Sequence, residues 1–143
     1  MVSESREDRV ADLIRAGQQE MTGEDVDDYF ALDFAFHGPD GFDADYEGLQ
    51  GYFASVRAAF DDLNIRRGII VAEGEYVACQ TWISGTFVGE FTQSPVGPLP
   101  PNGERVTFEL MNIFRYDDQG RIAEEWIQID NRSLLRQLGA GGR

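Results

Sequence analysis

Two periodicities of hydrophobic residues divide the chain into a helical first part and a strand-rich second part. Before Leu63, apolar residues recur at helical spacing in three segments. The first follows Ser5, a candidate N-cap, and weakens near Gly17. The second follows Thr22, and the third covers residues 49–60 after a turn-rich, acidic stretch. The pattern therefore predicts three helices before the first strand.

From Leu63 onward the hydrophobic period changes to 2, which is typical of half-buried strands. The segments with this period are IRRGIIVAE, YVACQTWISGTFVGEF, ERVTFELMNIFRY and RIAEEWIQI. A final segment, NRSLLRQLG, predicts a short helix closed by Gly139. Helices followed by antiparallel strands predict an α+β fold, with a curved antiparallel sheet wrapped around the N-terminal helices. We expect one domain over residues 1–143, with a small-molecule pocket on the concave side of the sheet.

The turn DDQG sets the register of the last hairpin. It fits a type I turn followed by Gly120 in the left-handed region, which pairs Asp117 with Arg121. Counting outward from that pair predicts three further cross-strand pairs. These are Asn112 with Trp126, Leu110 with Gln128, and Phe108 with Asp130.

Two residues are candidates for acid/base catalysis. Asp130 ends a strand on the face predicted to hold Phe108 and Trp126, where partial desolvation would raise the pKa of its carboxyl. It is also placed to be the N-cap of the last helix, and this alternative stays open. His37, the one histidine, precedes a loop where a pocket rim could form, or it is a loop residue without a role.

A second set of residues is predicted to bind the substrate. Asn112 and Gln128 could hydrogen-bond a carbonyl or a developing oxyanion, or they could satisfy neighbouring strands as buried amides. We expect aromatic side chains to line the pocket, although each could equally belong to the core. They are Tyr52, Trp82, Phe87, Phe108 and Trp126.

Composition excludes several classes of function. The net charge of −14 repels phosphate backbones and anionic membranes, so we expect neither nucleic acid nor a membrane as a partner. A single cysteine, Cys79, leaves no disulfide framework, and the spacing of His and Cys indicates no metal site. We expect a cytoplasmic protein. All twelve basic residues are Arg, which fits either adaptation to high salt or a GC-rich genome.

The C-terminal half contains a series of short motifs: Ile113-Phe114-Arg115, Gly120-Arg121-Ile122, Glu124 or Glu125 with Trp126, Asp130, and residues 134–139 in LLRQLG. In these motifs it resembles the SnoaL-like polyketide cyclase or ester cyclase family, of the NTF2-like superfamily. The N-terminal half is similar through His37 and the segments EGLQGYF and FDDLNI. Many members have His where this chain has Phe87, and the loop GPLPPNG also differs.

The resemblance implies an NTF2-like cone and an intramolecular aldol ring closure without metal or organic cofactor. It places the acid/base role on Asp130. In the leading hypothesis, His37 at the pocket rim is a second acid or base. The leading hypothesis is a cofactor-independent cyclase or isomerase acting on a small carbonyl compound. The alternatives are a non-catalytic module that binds an apolar ligand, and an epoxide hydrolase with paired carboxylates.

The sheet is also predicted to have an apolar outer face. Met111, Ile113, Ile127 and Ile129 are assigned to it. A face of this kind is too apolar to remain in contact with water, so we expect a homodimer.

Overall fold

A computed structural model describes residues 6–140 of the chain. Ser5, the predicted N-cap, lies outside the described residues. Within them, three α-helices accompany a six-stranded sheet. The helices are α1 (Arg6–Thr22), α2 (Tyr46–Ala59) and α3 (Asn131–Gln137). The strands are β1 (Phe30–His37), β2 (Asp43–Ala44), β3 (Phe60–Glu73), β4 (Tyr76–Phe87), β5 (Arg105–Tyr116) and β6 (Ile122–Ile129).

The strands are arranged in the order β2-β1-β6-β5-β4-β3. All neighbouring pairs are antiparallel except β1 with β6, which is parallel. Helix α1 packs on β3, α2 on β1 and β3, and α3 on β5. We call the side of the sheet that these helices cover the inner face, and the opposite side the outer face. The predicted α+β architecture is confirmed, with one parallel pairing that was not expected.

The first part of the chain differs from the prediction in two places. Helix α1 does not end near Gly17 but continues to Thr22. The second helix, predicted directly after Thr22, is not formed. A short 3-10 turn at Asp27–Tyr29 leads into β1 instead. Local spacing of apolar residues could not distinguish these outcomes, because β1 is specified by its pairing with β6 and by the burial of Phe34 against α2 and the sheet.

Helix α2 begins where its sequence favours a helix start. The Asp45 carboxylate accepts a hydrogen bond from the Gly48 amide at 2.8 Å, as an N-cap side chain does. The buried positions of α2 are Leu49, Val56 and Ala59, which recur at helical spacing. This face packs on the sheet and covers one side of the interior.

The final hairpin shows the predicted turn and an unpredicted bulge. Gly120 has a φ of 77°, and the Asp117 amide donates to the Arg121 carbonyl at 2.9 Å, as predicted. Between Arg115 and Tyr116 the register then shifts, so that Ala123 is an extra residue in β6. Every pair beyond this point moves by one residue. Asn112 lies opposite Ile127, and Leu110 opposite Ile129.

Candidate functional site

Four neighbouring strands each place one polar side chain on the inner face, and hydrogen bonds connect them in a row. Arg67 of β3 donates from Nη1 to Thr81 Oγ1 of β4 at 2.8 Å. The Thr81 hydroxyl donates to Asn112 Oδ1 of β5 at 2.7 Å, and Asn112 Nδ2 donates to Glu125 Oε2 of β6 at 3.0 Å. We call these residues the polar row. All donors are directed the same way, toward the Glu125 carboxylate.

The polar row is enclosed by the fold. Thr81 is 1% exposed, Asn112 4% and Glu125 8%. Burial raises the pKa of Glu125 to about 7, while the hydrogen bond from Asn112 and the charge of Arg67 act in the opposite direction. A carboxyl with a pKa near neutrality can both accept and donate a proton at physiological pH. Glu125 therefore has the property that the sequence analysis expected of Asp130.

A second buried carboxyl faces the same interior from α1. Glu20 is 7% exposed, and burial together with the charge of Glu125 raises its pKa to about 8. The charge of Arg67 lowers the pKa of Glu20, as does a contact of 3.5 Å from Gln50 Nε2 to Glu20 Oε2. Buried carboxyls with raised pKa values are concentrated at functional sites.

Arg67 lies directly beneath α1. A Cβ at Gly17 would come within 2.9 Å of Arg67 Nη2 and 3.0 Å of Ile65 Cδ1, so the absence of a side chain there makes room for the guanidinium. Arg67 Nε is buried and has no hydrogen-bond partner among residues 6–140. In the same range, no carboxylate forms an ion pair with Arg67. The guanidinium thus supplies positive charge to the interior without being neutralised by direct contact.

Asp130 is not on the inner face, and this is a correction to the predicted register. It is exposed, and its Oδ1 accepts from the Ser133 amide at 3.0 Å as the N-cap of α3. The bulge at Ala123 is the physical reason, because one extra residue turns each following side chain of β6 to the opposite face.

The same shift places Trp126 and Gln128 on the outer face, where they lie opposite Ile113 and Met111. Trp82 is also on the outer face, with the Arg66 guanidinium 4.1 Å above its ring. A shallow groove of about 250 Å³ brings three of the predicted site residues together on this side. It is lined by Gln80, Trp82, Glu109, Leu110, Met111, Gln128, Ile129 and Asp130.

His37 is held away from the polar row. Its Nδ1 lies 2.9 Å from Asp43 Oδ1 and its Nε2 lies 2.7 Å from Glu124 Oε2. Its ring stacks on Trp126 with the ring centroids 5.4 Å apart. The two carboxylates raise the pKa of His37, with Asp43 contributing more. Both ring nitrogens are engaged, so the geometry favours a structural role.

The other predicted residues do face the interior. Phe108 is buried, and Phe87 is completely buried with its ring stacked on Phe60 at 5.1 Å. Tyr52 is half-buried beside Phe91, and burial raises the pKa of its hydroxyl. Asn112 faces inward as predicted, but both ends of its amide are used by the polar row. Asn112 therefore orients Glu125, whereas the sequence analysis expected it to orient a carbonyl.

Sequence reasoning missed Glu20, Arg67, Thr81 and the inward direction of Glu125. A signal for Glu125 was present in the pair Glu124-Glu125, since alternation along a strand sends one of two adjacent side chains inward. Only the register of β6 decides which one. Glu20 had no comparable signal, because a glutamate after an apolar helical stripe is usually solvated.

Two further findings concern what the described part of the chain lacks. Within residues 6–140, no group of three or more His, Cys, Asp or Glu side chains is arranged to hold a metal ion. Among the helices of the same residues, none combines the length and apolar character of a membrane span.

Comparison with known proteins identifies the family. The family model described as SnoaL-like polyketide cyclase matches residues 8–138. The chain belongs to this family. No curated protein matches the sequence.

Solved structures confirm the NTF2-like fold expected of a SnoaL-like protein. IdmH, a proposed polyketide cyclase from Streptomyces antibioticus, is 27% identical, with 92% of this chain and 99% of IdmH covered and a TM-score of 0.73. AclR, a proposed hydroxylase from Streptomyces galilaeus, is 24% identical over 94% of this chain and 83% of AclR, with a TM-score of 0.80. SalBIII, an epoxide hydrolase/cyclase-like enzyme of pyran ring formation in salinomycin, is 18% identical over 91% of this chain and 96% of SalBIII, with a TM-score of 0.69.

Proposed function

We propose that this SnoaL-like protein is a cofactor-independent cyclase or isomerase that moves a proton next to a carbonyl group of a small polyketide-like substrate. Glu125 takes the place of Asp130 as the principal acid/base residue. The observation that carries the proposal is the buried Glu125 carboxyl at the end of the polar row, with its pKa raised to about 7. The family of the protein and its similarity to IdmH support a polyketide-like substrate class.

The polar row explains how Glu125 can act as a base in a buried site. In its ionised form, Oε2 accepts the hydrogen bond from Asn112. That bond holds one carboxylate oxygen in place. No described residue donates a hydrogen bond to the second oxygen, Oε1, so this oxygen is available to the substrate. Removal of an α-proton by Oε1 yields an enolate, which can close a ring by attacking a second carbonyl.

Arg67 supports this chemistry electrostatically. Its positive charge lowers the pKa of Glu125 and opposes the effect of burial, so the carboxylate stays available near neutral pH. Hydrogen bonds through Thr81 and Asn112 connect Arg67 to Glu125, so Arg67 is a positioning residue. The same positive charge stabilises an enolate that develops in the enclosed interior.

The test is exchange of α-protons into a ketone probe in deuterium oxide, followed by proton NMR. With 2-tetralone as the probe, we expect wild-type protein to accelerate exchange and Glu125→Gln to lose at least about 100-fold of that rate. Asp130→Asn is the matched control and should keep it. Full exchange activity in Glu125→Gln, or loss in Asp130→Asn, would contradict the assignment.

Epoxide opening is a second candidate function, because Glu20 and Glu125 provide the two buried carboxyls that this reaction requires. Incubation with styrene oxide and detection of the diol tests it. A non-catalytic binding module remains the third reading. It predicts that 2-tetralone binds and shifts the NMR signals of inner-face residues without any exchange of its α-protons.

We also propose that the outer face forms a homodimer interface. Large apolar side chains are exposed on three neighbouring strands, namely Ile69, Val71, Tyr76, Met111 and Ile113. Ile127 and Ile129, also predicted on this face, point inward because of the bulge. The cationic Arg66 and the acidic Glu109 and Asp130 lie on the same side of the sheet. Two copies related by a twofold axis could therefore pair opposite charges.

A further inference from the structure

We propose that Glu20 is a second catalytic carboxyl that works in alternation with Glu125. This inference rests on the proposed function and extends it from one acid/base residue to two. Glu20 on α1 and Glu125 on β6 are both buried, and they are near enough for the charge of Glu125 to act on Glu20. Nothing in the sequence motifs of the family points to Glu20.

The surroundings of Glu20 are those of an ionisable group kept out of water. From α2, Gln50 contacts the carboxyl oxygen at 3.5 Å, and Arg57 Nη1 donates to the Glu20 main-chain carbonyl at 2.7 Å. From the sheet, the charges of Glu125 and Arg67 act on it in opposite directions. No described residue forms an ion pair with Glu20. Burial of such a carboxyl lowers the stability of the folded protein, since its ionised form is neither solvated nor paired.

Room for this arrangement is provided by Gly17, one turn before Glu20 on α1. Because Gly17 has no side chain, the Arg67 guanidinium fits beneath the helix, between the element that holds Glu20 and the strands that hold the polar row. The charge of this partly buried cation then acts on two buried carboxyls. Arg57 acts on Glu20 as well, but the charge of Glu125 still raises the pKa of Glu20. The two buried carboxyls are therefore most stable when they carry one proton between them.

The sharing of one proton allows a balanced cycle for an intramolecular aldol reaction. In the first step, the Glu125 carboxylate removes the α-proton, the electron pair moves to the carbonyl oxygen, and that oxygen takes the proton of Glu20. In the second step, the enol carbon attacks the acceptor carbonyl and forms the carbon–carbon bond. The acceptor oxygen takes the proton from Glu125, and the enol proton returns to Glu20. Both carboxyls end in their starting states, and no other reactant is consumed.

The titration of the two carboxyls tests the pair without a substrate. Protein labelled with ¹³C at the glutamate carboxyls would be titrated by NMR. We expect two glutamate signals to titrate well above the ordinary range. The one that titrates at higher pH should disappear in Glu20→Gln and move to lower pH in Glu125→Gln. The last change occurs because a neighbouring negative charge has been removed. Glu7→Gln, at an exposed position of the same helix, should leave that signal unchanged.

The exchange of α-protons into 2-tetralone provides the catalytic arm. We expect Glu20→Gln to reduce the rate by roughly 100-fold and to remove the alkaline limb of its pH profile. Circular dichroism would show whether the variant is folded. Wild-type rates and an unchanged profile in folded Glu20→Gln, with Glu125→Gln inactive, would overturn the role of Glu20 and leave the proposed function intact.

If wild-type protein does not exchange the probe, the proposed function fails for this substrate class and the titration alone decides the pair. Independent titration of Glu20 and Glu125 would overturn the inference. A Glu20 signal that follows the charge state of Glu125 would support it.

Discussion

Asn112 and Glu125 lie on adjacent strands with Asn112 Nδ2 3.0 Å from Glu125 Oε2, although the turn of this hairpin, counted without a bulge, pairs Asn112 with Trp126. A single extra residue, Ala123, accounts for the difference. It exchanges the side chains that β6 presents to the interior and so replaces Trp126 and Asp130 with Glu125 and Ile127. The inward position of the Glu125 carboxyl follows from this bulge.

Loss of the Asn112 amide should destabilise the protein. Asn112→Ala removes the acceptor of the Thr81 hydroxyl proton and the donor to Glu125 Oε2, and both buried groups then lose that partner. We expect the free energy of unfolding to fall by about 1–3 kcal/mol, measured by urea denaturation. Asn64→Ala, at an exposed position of β3, is the control and should change it little. Equal stability of the two variants would show that the polar row contributes nothing.

Stability should decrease as the pH rises toward 8. The folded-state pKa values of Glu20 and Glu125, about 8 and about 7, lie above the ordinary value of 4.5, so the folded state binds more protons than the unfolded state in that interval. The loss begins above the unfolded value and continues through the folded values, at up to about 1.4 kcal/mol per pH unit for each group.

Denaturant unfolding across pH 5 to 9 measures this slope. Glu20→Gln and Glu125→Gln should each flatten it, because neither variant has to ionise a buried carboxyl. Glu47→Gln, at an exposed position of α2, should retain the wild-type slope. A stability that is independent of pH over this range would refute the raised pKa values.

His37 should make the protein more stable at mildly acidic pH. Asp43 and Glu124 raise the pKa of His37 above 6.5, so its contribution is complete below the unfolded value and is lost as the pH rises through the folded value. We expect His37→Gln to be less stable than wild type at pH 5.5 and the difference to shrink at alkaline pH. Titration of the ring by NMR would check the pKa directly, and a value below 6.5 would contradict the prediction.

Disruption of the outer face should produce monomers. Met111→Glu introduces a charge at a 58% exposed methionine in the centre of the apolar surface. We expect this variant to sediment as a monomer at micromolar concentration, where wild type sediments as a dimer. Val96→Glu carries the same change at an equally exposed valine in a loop and should remain dimeric. A monomeric wild type would remove the basis of the proposal.

Salt should stabilise this chain. With a net charge of −14, repulsion among surface carboxylates opposes the compact state, and added salt screens it. We expect the melting temperature to rise between low salt and 1 M NaCl, measured by differential scanning calorimetry. An unchanged melting temperature would mean that the acidic residues are too far apart, or too well paired, to repel one another.

Several features could be read from local sequence because local physics determines them. The alternation in β4 and β5, the turn at Gly120 and the cap at Asp130 each depend on residues within a few positions of one another. The motifs around Trp126 were sufficient to indicate the family. The N-cap role of Asp130 depends only on the residues that follow it.

Strand β1 could not be predicted from local sequence. The segment around Val26 and Phe30 fits the spacing of a helix, yet residues 30–37 form a strand. Its partner, β6, is almost ninety residues away in the chain, and no local pattern reports a parallel pairing across that distance. The position of His37 beside Glu124 is a consequence of the same pairing.

The sequence contains the residues of the site, but the tertiary structure decides which of them come together. Arg67, Thr81, Asn112 and Glu125 belong to four different strands, and only the combined register of the sheet aligns them. Glu20 joins them because α1 lies over the inner face. The physical reason is that side-chain direction in a strand depends on every residue inserted before it, and burial depends on what packs above it. Local patterns determine the elements, whereas contacts between distant segments determine which carboxyls are removed from water.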